Sequence, residues 1–273
     1  MISSLNNPKI KHLEELSVKA RTRNKEGLFV AEGIRIFLEC PDEYLKEIYV
    51  ELNMFNKLEE SFKETPSSLW GRAYSKIVKA KENGVFAETI TQEVLKKASD
   101  TESPQGLIFI SKKPHYELKD MLKGENRHFL MLEDIQDPGN LGTMLRTAEG
   151  ASMSGVIMSK GTVDIFNPKV VRSTMGSLYR VPFLYTDDIM TLMSELQSEG
   201  ICIYAAYLDA SVDYKDIKPC KDNAVLIGNE GNGLRQEVAM KADNRVRIPM
   251  GGKLESLNAA VAAGILMYEY GGR

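Results

Sequence analysis

From residue 128 onward, short apolar runs alternate with amphipathic stretches in a nearly regular rhythm. The runs are HFLMLED (128–134), GVIMSKG (155–161), YRVPFLY (179–185), ICIYAAYL (201–208), NAVLIGNE (223–230) and NRVRIPM (244–250). Between and after them, GNLGTMLRTAEGAS, PKVVRSTMGS, DDIMTLMSELQSEG, LRQEVAMKA and ESLNAAVAAGILMYEY carry apolar residues at helical spacing. Continuous apolar strands such as AVLIG, each followed by a helix, predict an α/β fold with a mainly parallel sheet covered on both faces. In such sheets ligands bind beyond the carboxyl ends of the strands.

The first part of the chain has a different texture. Strand patterns fall at LFVAE (28–32), EIYVEL (47–52) and GLIFIS (106–111), and TQEVLKKA (91–98) reads as a helix with Thr91 as its N-cap. A small α/β domain is expected there. The polar stretch SKKPHYELKDMLKGENR, with Pro114 and Gly124, separates the two textures and allows one helical turn around Leu118–Leu122. The expected organisation is a domain over 1–111, a linker over 112–127 and a second domain over 128–273.

Composition narrows the function. The 273 residues are 43% hydrophobic and 27% charged, enough for two domains with a sizeable core. A formal net charge of -3 excludes an evenly basic nucleic-acid coat but not a local basic patch. Such a patch is offered by Lys9, Lys11, Lys19, Arg21, Arg23 and Lys25, offset only by Glu14, Glu15 and Glu26. It reads equally as a phosphate-contacting surface or a solvated helix face. The three cysteines (Cys40, Cys202, Cys220) are scattered and predict reduced thiols. The three histidines show no metal-ligand spacing, and no run is of membrane-spanning length. A cytoplasmic, metal-free protein is expected.

Three motifs fall at expected strand ends. The first, LEDIQDPGNLGTMLRTA (132–148), turns at Pro138-Gly139 and starts a helix near Asn140. Asn140 and Arg146 lie roughly 9 Å apart along that helix, so both could hold one extended polar substrate. Alternatively Asn140 caps the helix and Arg146 pairs with a surface acid. The second, IGNEGNGL (227–234), matches neither the P-loop nor the dinucleotide glycine spacing, and it places Glu230 where a phosphate would be repelled. Its three glycines favour a ligand loop over an ordinary turn. The third, RIPMGGKLESLNAA (247–260), brings Ser256 to the start of an alanine-rich helix, where it is expected to act as a cap.

Together and in this order, the motifs resemble those of the SpoU-type (TrmH) RNA 2′-O-methyltransferases of the SPOUT superfamily. The form N-x-G-x-x-x-R is met by Asn140, Gly142 and Arg146, and G-x-E-G-x-G by Gly228, Glu230, Gly231 and Gly233. I-P-M followed by S-L-N is met by Ile248, Pro249, Met250, Ser256, Leu257 and Asn258. Ala259-Ala260 departs from the Val-Ser of many members and leaves the polar positions intact. The resemblance implies a C-terminal domain with a deep trefoil knot, S-adenosyl-L-methionine as cofactor, and a homodimer formed through that domain. The N-terminal region is more loosely similar to a ribosomal-protein-like substrate-binding domain, through NPKIKHLEEL and the FVAEG step (29–33).

The implied reaction is methyl transfer to a ribose 2′-hydroxyl of structured RNA, with rRNA, most of all 23S rRNA, preferred over tRNA. Ala206, Gly228, Asn229, Glu230, Gly231, Ile248, Met250, Ser256, Leu257 and Asn258 are the implied cofactor-binding residues. Arg146, Asn140, Glu230, Ser256 and Asn258 are the implied catalytic set. Glu230 suits a cationic ligand and is expected to bind RNA or cofactor, or to organise Asn140 and Arg146. The family's proposed base corresponds to Arg146, yet a guanidinium stays protonated at physiological pH, so a phosphate-binding or alkoxide-stabilising role suits it better. Lys9, Lys11, Arg21, Arg23 and Lys25, with Arg146, become the expected RNA contacts. A tRNA-modifying enzyme and a non-catalytic ribosome-assembly factor are the competing readings; the intact motif set favours an enzyme.

Overall fold

The computed structural model describes residues 1–210 and 212–271. Helices α1 (Pro8–Val18) and α2 (Ala20–Glu26) lead into β1 (Leu28–Glu32), α3 (Ile34–Glu39), β2 (Leu45–Glu51), α4 (Leu52–Glu64), α5 (Leu69–Glu82), β3 (Phe86–Ile90), α6 (Gln92–Ala98) and β4 (Leu107–Lys112). Next come α7 (Leu118–Met121), β5 (His128–Leu132), α8 (Pro138–Gly150), β6 (Gly155–Ser159), α9 (Pro168–Thr174) and β7 (Phe183–Thr186). The chain finishes with α10 (Ile189–Ser198), β8 (Cys202–Ala206), β9 (Val212–Asp213), β10 (Asn223–Ile227), α11 (Gln236–Lys241), β11 (Asn244–Arg247) and α12 (Ala259–Tyr270).

Two compact units result. The first comprises Met1–Pro114 together with Asp164–Tyr179; the second comprises His115–Val163 and the chain from Arg180 onward. A single cut at 112–127 would leave 128–273 continuous, but the segment carrying α9 belongs to the first unit. Aromatic and ionic anchors hold it there: the Phe166 ring lies 4.9 Å from Phe29, and Asp164 pairs with Arg23 at 2.7 Å.

The first unit is built on a four-stranded sheet of order β1-β4-β2-β3, antiparallel except for the parallel β2–β3 pair. Alternate residues face opposite sides. Val30, Tyr49, Ile108 and Ile110 meet Leu13 and Leu16 of α1 and Val94 and Leu95 of α6, while Phe109 meets Phe37 of α3 on the other side. Thr91 caps α6 as expected, accepting from the Val94 amide. Strand β3, half-buried along most of its length, carries too weak an apolar pattern to have been expected.

The second unit holds a seven-stranded, all-parallel sheet of order β7-β6-β5-β10-β8-β11-β9. One face packs Phe129, Met131, Ile203 and Leu226 against Leu192 and Leu196 of α10 and Val238 of α11. Helices α8 and α12 pack directly on each other: a Cβ on Gly264 would lie 3.6 Å from the Thr147 methyl, and one on Gly150 would lie 2.9 Å from the Tyr268 hydroxyl. The expected strand over 179–185 shrinks to Phe183–Thr186, because a 3-10 turn at Ser177–Tyr179 and Pro182 intervene. The reduced-thiol expectation is also corrected. Cys202, opposite Asn223 in the β8–β10 register, forms a disulfide with Cys220, with Cα atoms 6.2 Å apart. Cys40 stays free and buried. No helix among the described residues is long and apolar enough to cross a membrane.

Arg23 departs from its expected role. Its side chain is only 4% exposed and donates to Asp164 and to the carbonyls of Leu16 and Ser17. Sequence could not separate it from its exposed neighbours, yet it ties the α1–α2 corner to the segment preceding α9 and is not an RNA contact. Arg23→Ala should therefore destabilise the chain by about 2–3 kcal/mol in urea denaturation, whereas exposed Arg21→Ala should stay within about 0.5 kcal/mol of the wild type.

Candidate active site

The sheet's sequence order reverses between β5 and β10: β6 and β7 extend one way, β8, β11 and β9 the other. Ligands of open parallel sheets bind at such a switch point. Leu132 and Ile227 stand side by side there, so the loops after β5 and β10 emerge together.

The loop after β10 is anchored on the end of β5. The Asn229 side chain donates to the Asp134 carbonyl at 2.8 Å and accepts from the Gly231 and Asn232 amides, each at 3.0 Å. Asn229 and Gly233 exchange backbone hydrogen bonds that close the turn. Beyond it, Arg235 donates through its amide and its Nε to the carboxylate of Glu133, a residue only 2% exposed. The three glycines are not equivalent. Gly233 takes a left-handed φ of 66°. A Cβ on Gly228 would lie 2.3 Å from the Gly233 backbone. Gly231 has neither constraint, so only two of the three are required by the backbone.

Glu230 does not face open solvent without a partner. Its carboxylate accepts from the Gln136 amide, the Asp137 amide and Asn140 Nδ2, each at 3.0 Å. Burial pushes its carboxyl up, but these three donors outweigh burial and hold it below the usual glutamate range. The other end of the Asn140 amide accepts from Asn258 Nδ2 at 3.0 Å. One chain of hydrogen bonds, Glu230–Asn140–Asn258, thus joins all three motifs. Asn140 is not the cap of α8, since Asp137 fills that position and accepts from the Asn140 amide. Asn258, not Ser256, caps α12, accepting from the Ala260 and Val261 amides. Arg146 lies on the solvent-facing side of α8 and makes no ion pair or hydrogen bond among the described residues.

Beside this chain opens a cavity of about 210 Å³ at the carboxyl ends of β8, β10 and β11. Of the expected cofactor residues, Ala206, Gly228, Asn229, Glu230, Gly231, Ile248, Met250, Ser256 and Leu257 line it. Asn258 is outside the lining. Tyr207, Leu208, Ile227, Asn232, Gly233, Val246, Arg247, Ala259 and Ala262 also line it and were not among the expected cofactor residues. Their signal was adjacency to the motifs: each lies within a few residues of an expected position. Peptide groups from Met250 to Leu257 make no backbone hydrogen bond among the described residues, leaving donors and acceptors open to a ligand.

Comparison with known proteins decides the family. The model of the SpoU rRNA Methylase family matches residues 127–268, and that of the MRM3-like substrate binding domain matches residues 7–108. The chain belongs to the SpoU rRNA methylase family. It is 31% identical over 271 residues to the 23S rRNA (guanosine(2553)-2'-O)-methyltransferase RlmP of Bacillus subtilis, covering 99% of each chain. An AdoMet-bound rRNA methyltransferase from Sinorhizobium meliloti superposes with a TM-score of 0.82 at 30% identity, covering 98% of this chain and 95% of that one. A putative RNA methyltransferase of the TrmH family from Porphyromonas gingivalis gives 0.77 at 26% identity, with 98% of both chains covered.

Within this SpoU family member, the expected RNA contacts of the first unit divide. Lys11, Arg21 and Lys25 are exposed and unpaired among the described residues. Lys9 is committed to Glu47 at 2.9 Å and to the Phe86 ring at 4.0 Å. Glu230→Gln keeps the shape of the side chain but presents an N–H to one of its donors, displacing the turn before α8. Methyl transfer should fall by about a hundredfold. Because the Glu230 carboxyl is held below its ordinary value of 4.5, its stabilisation is present above that pH and lost as pH falls through the folded-state value. The stability gap between wild type and Glu230→Gln should accordingly close on acidification below pH 4.5, read by thermal melts across pH.

Proposed function

We propose that the chain methylates a ribose 2′-hydroxyl of 23S rRNA, using S-adenosyl-L-methionine bound in the cavity beside the Glu230–Asn140–Asn258 chain. The observation that carries this reading is that chain itself, which gathers three separate motifs beside a ligand-sized opening and leaves Arg146 without a partner. The cavity suits this cofactor. Its walls combine apolar side chains (Ile227, Val246, Ile248, Met250, Leu257) with open loop backbone, Glu230 and Arg247, a mixed lining that fits a nucleoside joined to a zwitterionic amino-acid portion.

When bound, the cofactor supplies an electrophilic methyl group on sulfur. The loops 228–233 and 248–257 would hold the adenosine and methionine portions by backbone hydrogen bonds and apolar contact. Asn140, fixed at both ends of its amide, would orient the ribose. Arg146 would grip an RNA phosphate and stabilise negative charge on the 2′-oxygen as its proton passes to water. Ser256 would shape the cofactor loop. Lys11, Arg21 and Lys25 would hold RNA to the first unit.

Three further features belong to this reading. The insertion of β10 between β5 and β8 supports a knotted path for the loops that follow. Val261 and Tyr268, seven residues apart on α12 and 51% and 44% exposed, support a homodimer formed by the second unit. An rRNA substrate supports a cytoplasmic location.

Arg146→Ala should abolish ribose methylation of a 23S rRNA fragment while leaving S-adenosyl-L-methionine affinity by calorimetry nearly unchanged; near-normal turnover would refute the assignment. Replacing Lys11, Arg21 and Lys25 together by alanine should weaken RNA binding and flatten its dependence on log salt by about two to three units of slope. An unchanged slope would remove this surface from the RNA contact.

A further inference from the structure

The FVAEG step has no part in the methyl-transfer site, yet it builds a second site. At its end Glu32, only 8% exposed, accepts from Ser99 Oγ at 2.6 Å, Thr101 Oγ1 at 3.2 Å and the Gln105 amide at 2.9 Å. A buried carboxylate satisfied in this way locks the loop before β4 against the turn into α3. Gly33, at a φ of 112°, lets that turn pass directly beneath the Gln105 side chain; a Cβ there would lie 2.7 Å from its Oε1.

The result is a cavity of about 500 Å³ within the first unit, lined by Trp70, Arg35, Gln105, Arg172 and Met54 among others. Its lining brings together an indole ring, a carboxamide and two guanidinium groups. Trp70 is the single tryptophan of the chain and is 37% exposed at the start of α5. The Gln105 side-chain carboxamide and the Arg35 guanidinium make no hydrogen bond or ion pair among the described residues, so a donor–acceptor pair and a cation are both available. Arg172 adds a second cation, held loosely by Asp100 at 3.4 Å. Single-stranded RNA is recognised by stacking an unpaired base on an aromatic ring, reading its edge with an amide and holding its phosphate with arginine.

We propose that this cavity takes one unpaired nucleotide of the RNA substrate, with the base on Trp70, its edge against Gln105 and its phosphate at Arg35 and Arg172. The inference rests on the RNA-substrate reading above and adds a docking point on the first unit, separate from the methylated nucleotide. The occupant is an unpaired nucleotide within a strand; a duplex keeps its bases stacked and withholds the face that Trp70 needs.

Because Trp70 is the only tryptophan, its fluorescence reports this cavity without labelling. The full chain is titrated with a single-stranded RNA hexanucleotide, a duplex of the same length and adenosine monophosphate, while total RNA binding is followed by filter retention. The expected result is saturable quenching by the hexanucleotide, much weaker quenching by the mononucleotide and none by the duplex. Trp70→Ala and Arg35→Gln should each weaken hexanucleotide binding about tenfold or more, raising KM for the rRNA fragment more than they lower kcat. Trp70→Phe, which keeps a stacking ring and the fold, should restore most of the affinity. RNA retained at wild-type affinity by Trp70→Ala, with no quenching in the wild type, overturns the cavity alone. Equal affinity for the mononucleotide overturns the RNA-strand occupant. Failure of the wild type to retain any RNA overturns the substrate reading and the cavity together.

Discussion

The carboxylate of Glu230 is the point from which the second unit's site is built. It accepts the Gln136 and Asp137 amides and the Asn140 side chain, so the glycine loop after β10 and the start of α8 become one rigid piece. Without a negative charge there, three donors at a helix entrance would compete for solvent, and Asn140 would lose the partner that fixes which way its amide points. The fixed amide then presents its oxygen to Asn258, and the third motif, remote in sequence, is drawn in. A phosphate-binding loop leaves its backbone donors and helix entrance for the ligand. Here a protein carboxylate takes the neighbouring helix entrance, and the adjoining cavity is left for a ligand that is not a polyphosphate.

The two units use buried charge in the same way for different ends. Glu133 receives Arg235 and fixes where α11 begins. Glu32 receives Ser99, Thr101 and the Gln105 amide and fixes the loop before β4. Arg23 binds Asp164 and two carbonyls and holds a returning segment in the first unit. In each case the charge is almost fully withdrawn from water and its hydrogen-bonding capacity is met locally, which makes the arrangement strict about geometry even where its net contribution to stability is small. Arg146, Lys11, Arg21, Lys25 and Arg35, by contrast, are among the described cations that make no ion pair with the chain's own acids.

Much of this was legible in the residues. The parallel sheet followed from apolar runs alternating with helical spacing, and the strand ends located the motifs, because a buried parallel strand has no polar face and its loops alone can carry chemistry. The glycine spacing of 228–233 ruled out two phosphate-binding loops, and Glu230, whose charge argued against a phosphate, became a candidate functional position through the resemblance that the three motifs carry together. What the residues left open was the direction of that carboxylate, the identity of the helix caps and the roles of the individual basic residues. Those depend on which groups arrive from elsewhere. Asp137 displaces Asn140 as a cap only because the turn at Pro138 places it there, and Asn258 displaces Ser256 because α12 starts at Ala259, directly after Asn258.

Sequence by itself determined the local periodicities, the order of the elements and the set of polar residues from which a site could be assembled, since these depend on neighbours along the chain. Tertiary structure alone decided that Asp164–Tyr179 joins the first unit, that Cys202 meets Cys220, and that Arg23 is buried while Arg21 is exposed. Each of these joins residues that periodicity does not relate, by adjacency in the β8–β10 register or by packing of a returning segment. Such contacts arise when the core closes, and the polar groups trapped there must find partners wherever the fold has brought them.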